Sequence, residues 1–178
     1  MFRGKTEKIK ASPAIKQKLI YTTNYIARFV SCVFTNNPED DLKNYEVEAT
    51  SNSLVNCLNQ FFLECKNTHH IAEKNTEELT VDELSSFKEN GLLGMSAGLE
   101  VLGRLLYYAY NQENNYFDTT KVSQLAQLDW SRENPLWKDN VVRIDPNPKN
   151  PANPYKLTTS ANAITDAVKL VKRNLQWI

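Results

Sequence analysis

The chain is poor in several things, and each scarcity removes a class of protein. Of its 178 residues only five are glycine, and they form no GxxxxGK[ST] and no GxGxxG run, so the familiar glycine-built phosphate cradles are missing. Histidine occurs twice, as His69 and His70, and cysteine three times, as Cys32, Cys57 and Cys65. The cysteines make an odd set without a CxxC pair, which points to reduced thiols used as small hydrophobes in a cytoplasmic protein. No apolar run approaches the roughly 20 residues that a membrane span needs, so no membrane partner is expected. The N-terminus lacks an apolar h-region, and a secretory signal is not expected. Net charge is missing too: 21 basic side chains face 21 acidic ones, which argues against a protein working by bulk electrostatics alone.

What is present suits a globular chain. Hydrophobic residues make up 41% and charged residues 24%, close to the average for folded domains. The charge is segregated along the sequence. Residues 1–28 carry Arg3, Lys5, Lys8, Lys10, Lys16, Lys18 and Arg28 against Glu7 alone. Residues 39–48 and 73–89 are acidic, and the final stretch turns basic again through Lys169, Lys172 and Arg173.

Hydrophobic periodicity predicts a mainly α protein: a compact multi-helix domain over 1–178 with an extended N-terminal arm at 1–12. Ser12 and Pro13 read as cap and first turn of a helix carrying Ile15, Leu19, Ile26, Phe29, Val30 and Val33, stopped at Asn36-Asn37-Pro38. A second helix is expected over about 41–65, followed by a polar loop at 66–76 holding both histidines. Thr80 and Glu83 have the spacing of a capping box. Residues 92–110 are apolar on nearly every side, which predicts a central buried helix, with Glu100 and Arg104 paired on its wet face. In that helix Gly94, Ala97 and Gly98 read as a ridge for a close helix neighbour. A short helix at 118–128, a short strand at 141–144 and an irregular Pro/Asn-rich loop at 145–156 precede a last helix capped by Thr159 or Ser160.

Candidate chemistry is thin. Gly94-Met95-Ser96-Ala97-Gly98 matches GxSxG, but no strand precedes it and both histidines lie upstream of Ser96, against the serine–acid–histidine order of hydrolases that use this elbow. Cys65, His69 and His70 fall short of a closed zinc shell. No catalytic residue, metal ligand or cofactor is assigned. The basic arm is the form in which flexible termini track phosphates. Arg3, Lys5, Lys8 and Lys10, with Arg132 and Arg143, are therefore the candidate nucleic-acid-binding residues, from charge and position.

Residues 128–137 stand out, because they place Trp130 and Trp137 around a polar turn. Asn134 and Pro135 form a helix-start signal. Both rings are expected to clamp one core edge, with Arg132 pairing with Asp129 or stacking on an indole. Asp129, Trp130, Ser131, Arg132, Asn134, Pro135 and Trp137 also resemble a signature of the DndB family, the DGQHR-domain proteins of DNA phosphorothioation systems. Phe2 with Gly4, Glu7 and Lys8 resembles a second family segment, and Asn90-Gly91 with Gly98, Leu102 and Gly103 a third. The resemblance implies a non-enzymatic DNA-binding transcriptional regulator, with DNA and other modification-system proteins as partners and self-association left open. This chain has no Asp-Gly-Gln-His-Arg run, so the resemblance covers the family's C-terminal half. The alternative is a helical protein–protein domain that docks a missing N-terminal half or a modification-system partner.

Overall fold

A computed structural model describes residues 5–8, 13, 15–43, 45–148, 150–151 and 153–177. Among them lie seven α-helices and three two-stranded β pairs, which confirms a mainly α architecture. None of the helices is long and apolar enough to cross a membrane. One buried hydrophobic cluster takes side chains from every helix, from Phe29 near the start to Val171 near the end.

The N-terminal segment departs from expectation. Ser12 lies outside the described residues, and no α-helix begins at Pro13. Ile15–Gln17 forms only a 3₁₀ turn, which ends at Lys18 with φ 58°. The chain then extends so that β2 (Tyr21–Thr22) pairs in parallel with β1 (Thr6–Glu7). Extension buries Ile20 and Tyr21 completely, and the Tyr21 hydroxyl donates to Leu93 O at 2.6 Å. That burial outweighs the helical propensity of the segment. Helix α1 (Thr23–Thr35) starts ten residues late, where the Thr22 side chain accepts from Tyr25 N. It stops as expected, on Asn36 in the left-handed region at φ 61°.

Helix α2 (Val47–Glu64) also starts later than predicted. Asp40 and Tyr45 are held outside the helix instead, by Ser31 Oγ donating to Asp40 O and Tyr45 Oη donating to Phe34 O. The loop expected at 66–76 contains a short helix, α3 (His69–Glu73), whose Ile71 is fully buried. Helix α4 (Val81–Asn90) opens with both halves of the Thr80–Glu83 capping box and closes at Gly91.

Helix α5 (Ser96–Tyr107) is shorter than the apolar run. Its N-terminal residues form a tight turn, and its last ones leave for β3 (Tyr110–Asn111), which pairs antiparallel with β4 (Tyr116–Phe117). The small-residue ridge is therefore reassigned. A Cβ on Gly98 would meet Leu92 O at 2.2 Å, and one on Gly94 would meet the end of α4 at 3.0 Å, so both glycines serve the turn. The close helix approach is at Gly103, where a Cβ would lie 2.8 Å from Cys32 Cβ and 2.9 Å from Phe29 O of α1. Glu100 and Arg104 do pair, at 2.9 Å, but on a face only 12% and 16% exposed, because α1 covers it and brings Arg28 to the same carboxylate.

Helix α6 (Thr119–Ala126) is capped by Asp118. The expected strand is β5 (Val142–Ile144), and its partner β6 (Tyr155–Leu157) takes two residues of the loop predicted to run to 156. Ser160 caps α7 (Ala161–Asn174), which buries Ala163, Ile164, Ala167, Val168 and Val171. Ile178 lies outside the described residues.

Candidate functional site

Trp130 and Trp137 are both fully buried and stack at 5.0 Å with 26° between the rings. Each indole is anchored by its polar edge: Trp130 Nε1 donates to Leu125 O at 2.9 Å and Trp137 Nε1 to Asp129 O at 2.8 Å. The expected clamp is present. The rest of the segment ties itself down. Asp129 accepts from the Ser131 amide and hydroxyl, each at 2.9 Å. Asn134 Nδ2 donates to Asp129 O at 2.7 Å, and its side-chain oxygen caps the 3₁₀ turn Pro135–Trp137.

Arg132 neither pairs with Asp129 nor stacks on an indole. It is 9% exposed, and its guanidinium reaches three backbone carbonyls. Nη2 donates to Lys88 O at the end of α4, Nη1 to Tyr155 O of β6 at 3.2 Å, and Nε to Gly91 O at 3.4 Å. The planar fork suits this task, since it reaches diverging acceptors without a titratable partner. Burial lowers its pKa, and Glu89 opposes that shift. Backbone bonds run alongside: Leu92 N to Trp130 O at 2.9 Å and Arg132 N to Asn90 O at 2.8 Å. The segment thus joins α4, the turn before α5, and β6.

Beside this junction runs a polar groove. One section, of about 480 Å³, lies between α3 and α4 against Ser131, with His70 and Asn67 on its wall. The next section is formed by Asn90, Ser131, Arg132, Glu133, Asn153 and Tyr155. Asn67 fixes the wall, since its Oδ1 accepts from Trp130 N at 2.9 Å and its Nδ2 donates to Asp129 at 3.2 Å. Asn153 reaches Glu89 O at 2.9 Å from the other side. Sequence reading missed Asn67 and Asn153. Asparagine is so common in loops that nothing but the folded contacts marks these two.

Among the described residues, the candidate nucleic-acid-binding side chains form no single surface, since Lys5 and Arg132 are buried. Arg3 and Lys10 lie outside the described residues. Lys5 is 2% exposed, with Nζ donating to Ile71 O at 2.9 Å and Lys74 O at 2.7 Å. Its position is corrected from a solvated arm to a tether of α3, so phosphate cannot reach it without unfolding this edge. Arg132 is corrected in the same way, from surface cation to internal clamp. Lys8 and Arg143 are exposed.

The enzymatic candidates are also placed. A turn precedes Ser96, which opens α5. Cys65 is fully buried, while His69 faces Glu73 at 3.2 Å and donates from Nδ1 to Leu63 O. Among the described residues no three of His, Cys, Asp and Glu cluster as for a metal. Burial pushes the Cys32 and Cys57 thiols up to about 12 and raises that of Cys65.

The family profile described as "DndB: DNA-sulfur modification-associated" matches residues 1–178. No curated protein and no solved structure matches the sequence. The tryptophan segment is a folding element that holds the groove's wall. With the profile matched along the whole sequence, the chain belongs to the DndB family of DNA-sulfur-modification-associated proteins.

Proposed function

We propose that this protein is a DNA-contacting regulatory module of a DNA sulfur-modification system, acting in the cytoplasm and performing no catalysis itself. The match to the DndB profile along residues 1–178 carries the reading. Family membership implies a repressor-like partner of the enzymes that exchange a non-bridging phosphate oxygen of DNA for sulfur. Two structural features support the non-enzymatic part. The turn before Ser96 follows helix α4 and not a strand, which is not the strand-to-helix turn of a nucleophile elbow. The thiols are buried and held protonated, which suits packing better than sulfur transfer.

The direct test is fluorescence anisotropy of a labelled duplex across a salt series. Binding with a steep negative log–log slope supports the reading, because released counterions report neutralised phosphates. A folded protein that fails to bind at about 50 mM salt overturns it. One observation favours a second reading, a docking module. Asp82 and Glu83 line one section of the groove, Glu133 the next, and Glu89 and Asp145 a third, so a basic segment of a partner is the occupant that fits. Co-purification with a modification-system protein, lost on Glu89→Lys plus Asp145→Lys, would favour that reading.

A further inference from the structure

Among the described residues, five cations are held by carboxylates. Arg28 pairs with Glu39 and Glu100, Arg104 with Glu100, Lys74 with Glu83, Lys43 with Asp41, and Lys156 with Asp145. The corner where α6 meets the end of α7 is different. Lys121 donates to Tyr108 O at 2.9 Å and lies 5.4 Å from the centre of the Trp177 ring. Lys172 sits 3.5 Å over the Tyr108 ring. Lys169 and Arg173 are exposed on the adjoining face of α7, four residues apart. None of these four cations forms an ion pair among the described residues.

The local folding keeps them so. Gln176 adopts φ 57°, and Trp177 N returns to Lys172 O at 2.9 Å, a Schellman turn that folds the indole back toward α6. There Trp177 Nε1 donates to Gln124 at 2.7 Å. Rings and a carbonyl position the two inner ammonium groups without neutralising them. The negative end of a helix dipole is worth only about half a charge, too little to balance four cations. Asp166 is the one carboxylate on α7, and it forms no ion pair here.

We propose that this corner, built from Lys121, Lys169, Lys172 and Arg173 around Tyr108 and Trp177, is the surface that contacts the DNA backbone. The proposal rests on the DNA-contacting reading above and moves the contact from the N-terminal arm to α7. Three unpaired cations spaced over one turn of α7, with Lys121 of α6 beside them, match a line of phosphates. The interleaved rings hold Lys121 and Lys172 in place, so less side-chain freedom is lost on binding. An anionic membrane is a weaker fit, because Leu170 is the only large exposed apolar residue of α7.

The experiment compares the full chain with Lys169→Ala plus Arg173→Ala, both at exposed positions, and with Lys8→Ala plus Arg143→Ala, using duplex anisotropy from about 50 to 200 mM salt. Circular dichroism melts confirm that each variant folds. Each lost phosphate contact reduces the log–log slope by about 0.9, so the α7 variant should lose about 1.8. Over that fourfold salt change, wild-type affinity should then fall about twelvefold further than the variant's. That result, with the Lys8/Arg143 variant unchanged, supports the proposal. Wild-type binding that the α7 variant leaves intact overturns the proposal and spares the DNA reading. Absence of wild-type binding overturns both. Equal binding to polyglutamate would replace DNA by an acidic protein partner and overturn the proposal too.

Discussion

Replacing Arg132 by methionine separates a clamp from a phosphate contact. Methionine keeps much of the stem volume and removes the fork. Two of the lost hydrogen bonds are firm, to Lys88 O and to Tyr155 O at 3.2 Å; the bond to Gly91 O, at 3.4 Å, is long. Charged hydrogen bonds contribute about 1.5–3 kcal/mol each, so the firm pair is worth roughly 3–6 kcal/mol before offsets. Releasing the guanidinium from its desolvated site returns part of that, leaving a loss of about 2–4 kcal/mol. For a chain of this size each kcal/mol moves the melting temperature by about 2–4 °C, so a drop of roughly 5–15 °C is expected. Arg132→Lys should lose nearly as much, because one ammonium cannot span three diverging carbonyls. The assay is thermal unfolding followed by circular dichroism, with duplex anisotropy measured well below the melt. A variant within about 0.5 kcal/mol of wild type that nevertheless loses DNA affinity would refute the clamp and restore Arg132 as a contact.

Other substitutions test other joints. Gly103→Ala drives a methyl against Cys32 Cβ and the Phe29 carbonyl of α1, so urea denaturation should show a loss of about 1–3 kcal/mol. Gln176→Gly relieves the left-handed residue of the Schellman turn and should raise stability by about 0.5–1 kcal/mol in the same assay. Lys88 is buried without a carboxylate partner, and desolvation lowers its pKa to about 8. The unfolded chain therefore binds more protons than the folded one between about pH 8 and 10.5, and stability should rise across that window. Lys88→Met should be the more stable form at pH 7 and should flatten that rise, as read by unfolding at a series of pH values. Native-state reaction with a thiol reagent should be slow at Cys32, Cys57 and Cys65 and become fast only in denaturant.

Much of the helical architecture was legible in the chain. The Thr80–Glu83 capping box, the Asn36 stop and the Ser160 cap are local devices, decided by residues within one or two turns. The tryptophan clamp was legible for the same reason, since Asn134-Pro135 sets the turn that places one ring on the other. The helix expected at Pro13 failed where a distant partner won. Tyr21 gains burial and a hydrogen bond to Leu93 by extending, and no local pattern carries that information.

The same distinction runs through the candidate site. The sequence by itself determined that the chain is helical, that its charge is segregated, and that residues 129–137 set two tryptophans around a polar turn. Only the tertiary structure decided which cations face water. Lys5 and Arg132 look like surface charges in the sequence, and long-range carbonyls take them inside. Lys121 and Lys172 lie 51 positions apart and meet through Tyr108, held over rings rather than beside carboxylates. Charge is a property of each residue, whereas exposure and pairing belong to its neighbours in space.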